Sequence, residues 1–521
     1  MIAVAARENE RAVAAEFFEL FKTPWELFQR GDSAGVLLCT GDEIPVSNAK
    51  LVLIYGSGLN SFDRTRAISI HPQPAGRFFI HGVYKIPVYG PGLAFENGGL
   101  YEVKNGSQTI VRIGYDLFSE VRHLLTAGQP AEHAAMPALD DHIELLRGLI
   151  VQHAPPLVEI PPVPTGKNFI ACLTHDVDHV GIRNHKFDHT MLGFLARATF
   201  GSVLDVLRGK KTPGQLFANW LAALKLPFVH LGLAKDFWYQ FDHYVEIEDG
   251  LPSTFFVIPK KGETGLDANG NRPARRAASY DARDLAEILR GLKNRGKEIC
   301  VHGIDAWRDV SAGSDEKKII AGLAGIADSG IRMHWLYFGE QSHEILEQSG
   351  YAYDSTIGYN GTVGYRAGTS QVFKPLAAKK MLELPMHVMD TALFYPSYLN
   401  LTPGQAAEKI RPLIAHAENS GGTLVVNWHD RSIAPERLWD GNYRAFIRQC
   451  KKSGAWFATA GQAVDWFRAR RDINFENGGL NVRPGNSGTR GLPAFRVRVH
   501  VSAGNFADRE LCAGMEAALP V

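Results

Sequence analysis

The sequence predicts an α/β protein in which a smaller α/β domain precedes a parallel (β/α) barrel. Three observations carry this. From residue 168 to 472, short apolar runs alternate with helical stretches, the pattern of parallel β/α units, and so many in one domain fit a barrel. A segment with five prolines, "APPLVEIPPVPTG" (154–166), interrupts the chain before them. Several of the apolar runs then end in His or Asp, where a parallel barrel gathers its functional side chains.

The first domain spans 1–153. Its pattern predicts a helix over 7–30, strands within "KLVLIYG" (50–56), "RFFIHGVYKIPVYG" (77–90) and "TIVRIGYDLF" (109–118), and a helix around 138–153. Proline lacks the backbone donor and fixes φ, so 154–167 reads as an extended linker. Beyond it, "NFIACLTHD" is a strand and about 180–248 a helical, His-containing insertion. "PSTFFVIP" (252–259) is a second strand, "ARDLAEILRGLKNRG" (282–296) an amphipathic helix stopped by Gly296, and "KEICVHG" (297–303) a third strand. Further strands are expected in "IRMHWLYF" (331–338), before Asp354, and in "MLELPMHV" (381–388), "TLVVNWH" (423–429) and "AWFATA" (455–460). The Gly- and Arg-rich tail, 473–521, offers one more strand candidate, "AFRVRVHV". "FENGGL" occurs at 95–100 and 475–480; a turn-forming NGG repeated twice reads as coincidence or as paired hairpins.

Composition narrows the function classes. With 521 residues and a formal net charge of +1, the chain has no global pull toward nucleic acid or an anionic surface. Cys39, Cys172, Cys300, Cys450 and Cys512 lack CxxC spacing, against both a disulfide framework and a Cys-ligated zinc. Charges enter the N-terminus too early for a signal peptide, and no run approaches the roughly 20 apolar residues of a bilayer span. The expectation is a reduced, cytoplasmic protein.

The chemistry concentrates in "LTHDVDH" (173–179). Side chains alternate along a strand, so Asp176 and Asp178 share a face while His175 and Val177 point away. Two carboxylates on one face repel unless a cation or a shared proton holds them. The alternative is an N-cap and a solvated loop. "KEICVHGIDAW" again ends a strand in a histidine, His302, and "GTLVVNWHDRS" ends one in Asn427, Trp428, His429 and Asp430. Three strand ends of this kind would converge on one cleft. His179, His185 and His189 lie in or near the insertion, and Cys172 and Cys300 read as small core fillers.

On these motifs, residues from about 168 to 470 resemble the polysaccharide deacetylase family, the nodulation-type deacetylases of carbohydrate esterase family 4. The resemblance implies a distorted (β/α)7 barrel that hydrolyses N-acetyl groups of sugars with one divalent metal, often zinc. "THDVD" matches the first family motif, implying Asp176 as general base and Asp178 as metal ligand. "HGIDA" stands at the metal-binding His-x-x-x-His motif and implies His302 as ligand. "GIRMHWLYF…LEQSGYAYDST" implies Arg332 as the residue orienting the base, with a later carboxylate at Asp354. "NWHD" implies His429 as the acid that protonates the leaving amine. The second histidine of His-x-x-x-His is absent, because position 306 is Ala306.

A third ligand is therefore needed for a zinc-like site. His334 lies two residues beyond Arg332 and would share its face in an extended strand, and a neutral nitrogen suits zinc. Asp305 competes and would favour Mn²⁺ or Mg²⁺; a structural histidine at 334 is the third reading. Arg366, between glycines in "GYRAGT", and Trp428 are candidate substrate contacts. The reading is a metal-dependent hydrolase that removes an N-acyl group from a sugar or glycan precursor. Two rivals are a glycosyltransferase using D-x-D for a metal–nucleotide sugar and a catalytically silent glycan-binding barrel.

Overall fold

The computed structural model describes residues 1–29, 31, 34–96, 98–476 and 491–511, and the backbone alone over 481–483 and 517–518. The chain forms two compact units: Met1–Gly166 with Tyr365–Leu376 and Asp465–Val521, and Lys167–Gly364 with Ala377–Val464. The first unit thus takes residues beyond the proline-rich segment that the sequence pattern assigned to the barrel.

The first unit is built on a six-stranded sheet in the order Trp25–Leu27, Ile2–Ala5, Val36–Cys39, Leu51–Tyr55, Gln108–Ile113, Leu100–Asn105. All of its pairings are parallel except the last. The helix expected over 7–30 is shorter, Arg11–Phe21. Lys22 closes it in the left-handed region at φ 48°, and Trp25–Leu27 is an edge strand. The run 77–90 is a hairpin, Arg77–His81 with Tyr84–Val88, because Gly82 turns the chain at φ 56°. Asp116 caps the helix Leu117–Thr126, and Ala138–His153 is helical as its pattern requires.

The proline-rich segment is not wholly a linker. Leu157–Glu159 is a strand that pairs antiparallel with Phe495–Ser502, which pairs in turn with Asn505–Leu511. Prolines flank this short strand, where no ladder donor is lost. The second "FENGGL" and Cys512 lie partly or wholly outside the described residues.

The second unit is a parallel, barrel-type sheet of nine strands. Their order is Leu382–Glu383, Tyr353–Asp354, Ile331–Met333, Glu298–Gly303, Thr254–Val257, Phe169–Val177, Thr423–Asn427, Val388–Met389, with Ala455–Ala458 also on Phe169–Val177. All nine residues of Phe169–Val177 are buried, as expected for a central parallel strand covered on both faces. The run "MLELPMHV" makes two ladders rather than one strand. Its start pairs with Tyr353–Asp354 and its end with Thr423–Asn427, so the same short segment touches both ends of the strand order.

The insertion comprises the helical run His189–Leu207, the helix Pro213–His230 and the helix Phe241–Glu248. By length and composition alone, the 19 residues of His189–Leu207 are long and apolar enough to cross a bilayer, contrary to the sequence expectation. Met191, Phe194 and Ala198 of that run pack against Ala222, Leu226, Val229 and Trp238, which anchors it by one side to the rest of the insertion.

Candidate active site

The strand-end residues meet in a cleft of about 350 Å³ lined by Asp176, Asp178, His302, His334, His429 and Asp430, with Trp335, Tyr395 and Tyr398 among its walls. Phe169–Val177 supplies Asp176 as its penultimate residue, and Asp178 follows two positions on. The parallel register sets His302 opposite Arg332 and Thr174 opposite Asn427, so neighbouring strands end at a common level.

Asp176 is buried and fully engaged. Its Oδ1 accepts from Arg332 Nη1 at 2.9 Å and its Oδ2 from Asn427 Nδ2 at 2.7 Å. Burial alone would raise the carboxyl; the Arg332 guanidinium, together with His302 and His429, outweighs it and holds Asp176 below the usual carboxylate range. Arg332 is itself locked. It donates to Thr174 Oγ1 at 2.8 Å, to the Ser355 carbonyl at 3.0 Å and to Ser355 Oγ at 3.0 Å, and lies 4.3 Å from the Phe256 ring centre.

Asp178 sits differently. Its Oδ1 is 3.3 Å from His302 Nε2 and 3.8 Å from His334 Nδ1, and its Oδ2 is 3.8 Å from His429 Nε2. Burial works against its charge, but the imidazoles facing it, with His429 charged among them, hold it well below the usual range. Asp178 Oδ1 and His334 Nδ1 are buried with no hydrogen-bond partner. Buried polar atoms are seldom left so. His302 Nδ1–H donates to the Arg332 carbonyl at 2.9 Å, which turns the Nε2 lone pair toward Asp178. Single donor atoms of Asp178, His302 and His334 all lie within 4.8 Å of one another. One carboxylate and two imidazoles form a donor set that fits a divalent cation such as zinc.

The route of His334 into the cleft differs from the sequence argument. The strand ends at Met333, so His334 does not continue an extended run beside Arg332. It opens a tight turn in which Trp335 and Leu336 take positive φ, 63° and 55°. Arg276 pins that turn, donating to the His334 carbonyl from Nη2 at 3.0 Å. Burial pushes His334 down to about 3, so the ring is a neutral nitrogen donor. Asp305 is not among the cleft-lining residues. Its Oδ1 accepts from the Leu266 backbone at 3.0 Å and from Arg308 at 3.1 Å, which commits it to its own loop.

His429 donates from Nδ1 to Asp390 Oδ1 at 2.6 Å, and its backbone N–H donates to Asp390 Oδ2 at 2.7 Å. Burial opposes a charge on the ring, but Asp390 outweighs it, helped by Asp178 and Asp176, and the imidazole is pushed up to about 10. Sequence reasoning missed Asp390. It had Asp354 as the later carboxylate, which is instead buried with His343 and Glu383, outside the cleft lining. Asp430 closes the "NWHD" run. It receives the backbone N–H groups of Asp178 and His179 at 3.3 and 3.2 Å, and burial raises it to about 7.

Both substrate-contact expectations are corrected. Trp428 points away from the cleft into the core, stacked on Tyr443 at 5.4 Å, because alternation along the strand end puts it opposite His429. Arg366 belongs to the first unit, where it donates to the Ala127 carbonyl at 3.0 Å. Of the aromatic rings lining the cleft, Trp335 and Tyr398 are the exposed ones, at 40% and 43%. His175 is structural: Nδ1–H donates to the Trp428 carbonyl at 2.8 Å and Nε2 meets Glu248 at 2.7 Å. His185 bonds Asp188 and Ser279, and Cys39, Cys172, Cys300 and Cys450 are free and buried.

Fold and cleft together define a parallel barrel-type α/β protein with a carboxylate–histidine centre at the C-terminal ends of its strands. No family model and no curated protein matches the sequence. Solved structures do match. A protein assigned as a polysaccharide deacetylase from Mycobacterium smegmatis is 19% identical, with a TM-score of 0.37 over 60% of this chain and 96% of that one. One from Pseudomonas aeruginosa PAO1, assigned likewise, is 15% identical, with a TM-score of 0.37 over 59% and 94%. The allantoinase Puue is also 15% identical, with a TM-score of 0.36 over 59% and 92%.

Proposed function

We propose that the chain is a metal-dependent hydrolase that removes an N-acyl group, acetyl in the simplest case, from a sugar or glycan precursor. The observation that carries this reading is the arrangement around Asp178. The donor atoms of Asp178, His302 and His334 cluster within 4.8 Å, Asp176 is tied to Arg332 at 2.9 Å, and His429 is tied to Asp390 at 2.6 Å. These are a ligand set, an oriented carboxylate and a backed acid, the parts amide hydrolysis requires.

Asp178, His302 and His334 would hold the ion. A divalent cation bound there lowers the pKa of water toward neutrality and polarises the acyl carbonyl. Asp176 takes the proton of the attacking water, and Arg332 keeps it ionised and aimed. The water oxygen bonds the acyl carbon as the carbon–nitrogen bond breaks. His429, protonated at neutral pH through Asp390, gives its Nε2 proton to the departing amine, which leaves poorly without one. Trp335 and Tyr398 offer faces on which the C–H groups of a sugar ring can rest. A glycosyltransferase reading gives the His429–Asp390 pair no task, and a silent barrel gives none to the Arg332–Asp176 pair.

The test is acetate release from N-acetylglucosamine oligomers by the full chain loaded in turn with Zn²⁺, Mn²⁺ and Mg²⁺, with metal content measured on the same samples. Release that chelation abolishes and metal restores supports the reading. Stoichiometric metal at intact Asp178, with no acyl release from any N-acylated sugar offered, overturns it.

A further inference from the structure

Fourteen of the twenty-four large apolar side chains exposed among the described residues fall between Phe187 and Tyr239, in the helical insertion. They are ordered. On the helix Pro213–His230, Phe217, Leu221, Leu224 and Phe228 recur at helical spacing on one stripe, with Phe217 68% and Leu224 73% exposed. The opposite stripe, Asn219, Ala222, Leu226 and Val229, is the buried one. The run His189–Leu207 repeats the design: Leu192, Phe200, Val203 and Leu207 lie outward, and Met191, Phe194 and Ala198 inward. Exposed apolar side chains ordered in stripes like these mark a contact.

The charges say what covers it. Within residues 187–239 the chain carries six Lys and Arg against three acidic residues, Asp188, Asp205 and Asp236, on a protein whose total is only +1. Lys186, Arg208, Lys225 and Lys235 are exposed beside the apolar stripes. Outward Phe, Trp and Leu with a basic collar match the headgroup boundary of an anionic bilayer. A second copy of this face would bring the same excess of positive charge against itself. The run His189–Leu207 is packed along one side by Ala222, Leu226 and Trp238, so that side cannot face lipid, and the helices would lie on the membrane rather than cross it.

We propose that the helical insertion, residues 187–239, docks the protein on the surface of an anionic lipid bilayer. A cavity of about 860 Å³ borders the docking helices at Leu204 and Arg208 and shares Tyr395, Arg431 and Arg437 with the candidate active-site cleft. Docking would bring that cavity, and with it the cleft, to the lipid surface.

The experiment is flotation of the full chain with phosphatidylcholine vesicles, with and without phosphatidylglycerol, at low and high salt. Light scattering gives the oligomeric state of the same preparations. The expected result is binding to the phosphatidylglycerol vesicles that weakens with salt. The double variant Leu224→Glu/Phe228→Glu, folded by circular dichroism, should lose at least about tenfold in partitioning. Both residues are exposed, so the variant should fold; Lys225→Glu with Lys235→Glu is the second, purely electrostatic variant and should weaken binding to the anionic vesicles only. Absence of vesicle binding overturns the proposal, as does binding that neither variant alters. A dimer that the apolar double variant converts to monomer, without vesicle binding, also overturns it and assigns the face to a second copy.

Discussion

Asp390 holds His429 twice, accepting from the ring Nδ1–H at 2.6 Å and from the same residue's backbone N–H at 2.7 Å. The carboxylate fixes the ring's orientation and its charge together. Because the folded value is raised from 6.5 to about 10, the imidazolium, and the stability it brings, is fully present below 6.5 and lost as pH rises through about 10. Histidine NMR of the metal-free chain should show one imidazole protonated well above neutrality. Asp390→Asn should bring that titration down and slow acyl release by about 10²–10⁴. An unchanged titration in the variant would show that Asp390 does not set the charge.

Asp176 and Asp178, two positions apart, should respond oppositely to the same change. Asp176→Asn keeps metal bound and abolishes turnover; Asp178→Asn loses the metal. Metal analysis with an activity assay on both proteins decides, and the reverse pattern would exchange their roles.

His334→Ala should weaken metal binding by at least about tenfold. Asp305→Ala should leave the affinity where it was and cost about 1 kcal/mol of stability through its lost loop hydrogen bonds. Competition with a chelator measures the first, chemical denaturation the second. Parental affinity in His334→Ala would show that His334 is not a ligand.

Arg332→Met strands the Asp176 carboxylate in the core, and breaking a buried pair in this way costs about 3–5 kcal/mol. Adding Asp176→Asn should recover part of that loss, because the uncompensated charge is gone. A double variant as unstable as the sum of the two singles would mean the pair is not coupled.

Trp428→Ala and Trp335→Ala should separate core from cleft. The first empties a fully buried site and should destabilise by about 3–5 kcal/mol. The second removes a half-exposed ring and should raise KM for an N-acylated oligosaccharide with little change in the unfolding midpoint. If Trp335→Ala leaves KM untouched, that ring does not meet the sugar.

The sequence by itself determined the parallel strand–helix alternation and the strand-end residues Asp176, Asp178, His302 and His429, because strand period and apolar patterning are local properties. It also placed Arg332 and His334 near the same strand end. What tertiary structure decided depends on contacts between distant segments. His334 reaches Asp178 through a turn that two left-handed residues shape and Arg276 anchors, and nothing in the run "RMHWL" announces a strand ending at Met333. Asp390 looks like any loop carboxylate until the pairing of Val388–Met389 with Thr423–Asn427 brings it under His429. Trp428 and Arg366 fail as cleft residues for the same reason. The direction of a side chain past a strand end, and the unit to which a short excursion returns, are set by packing partners far away in the chain.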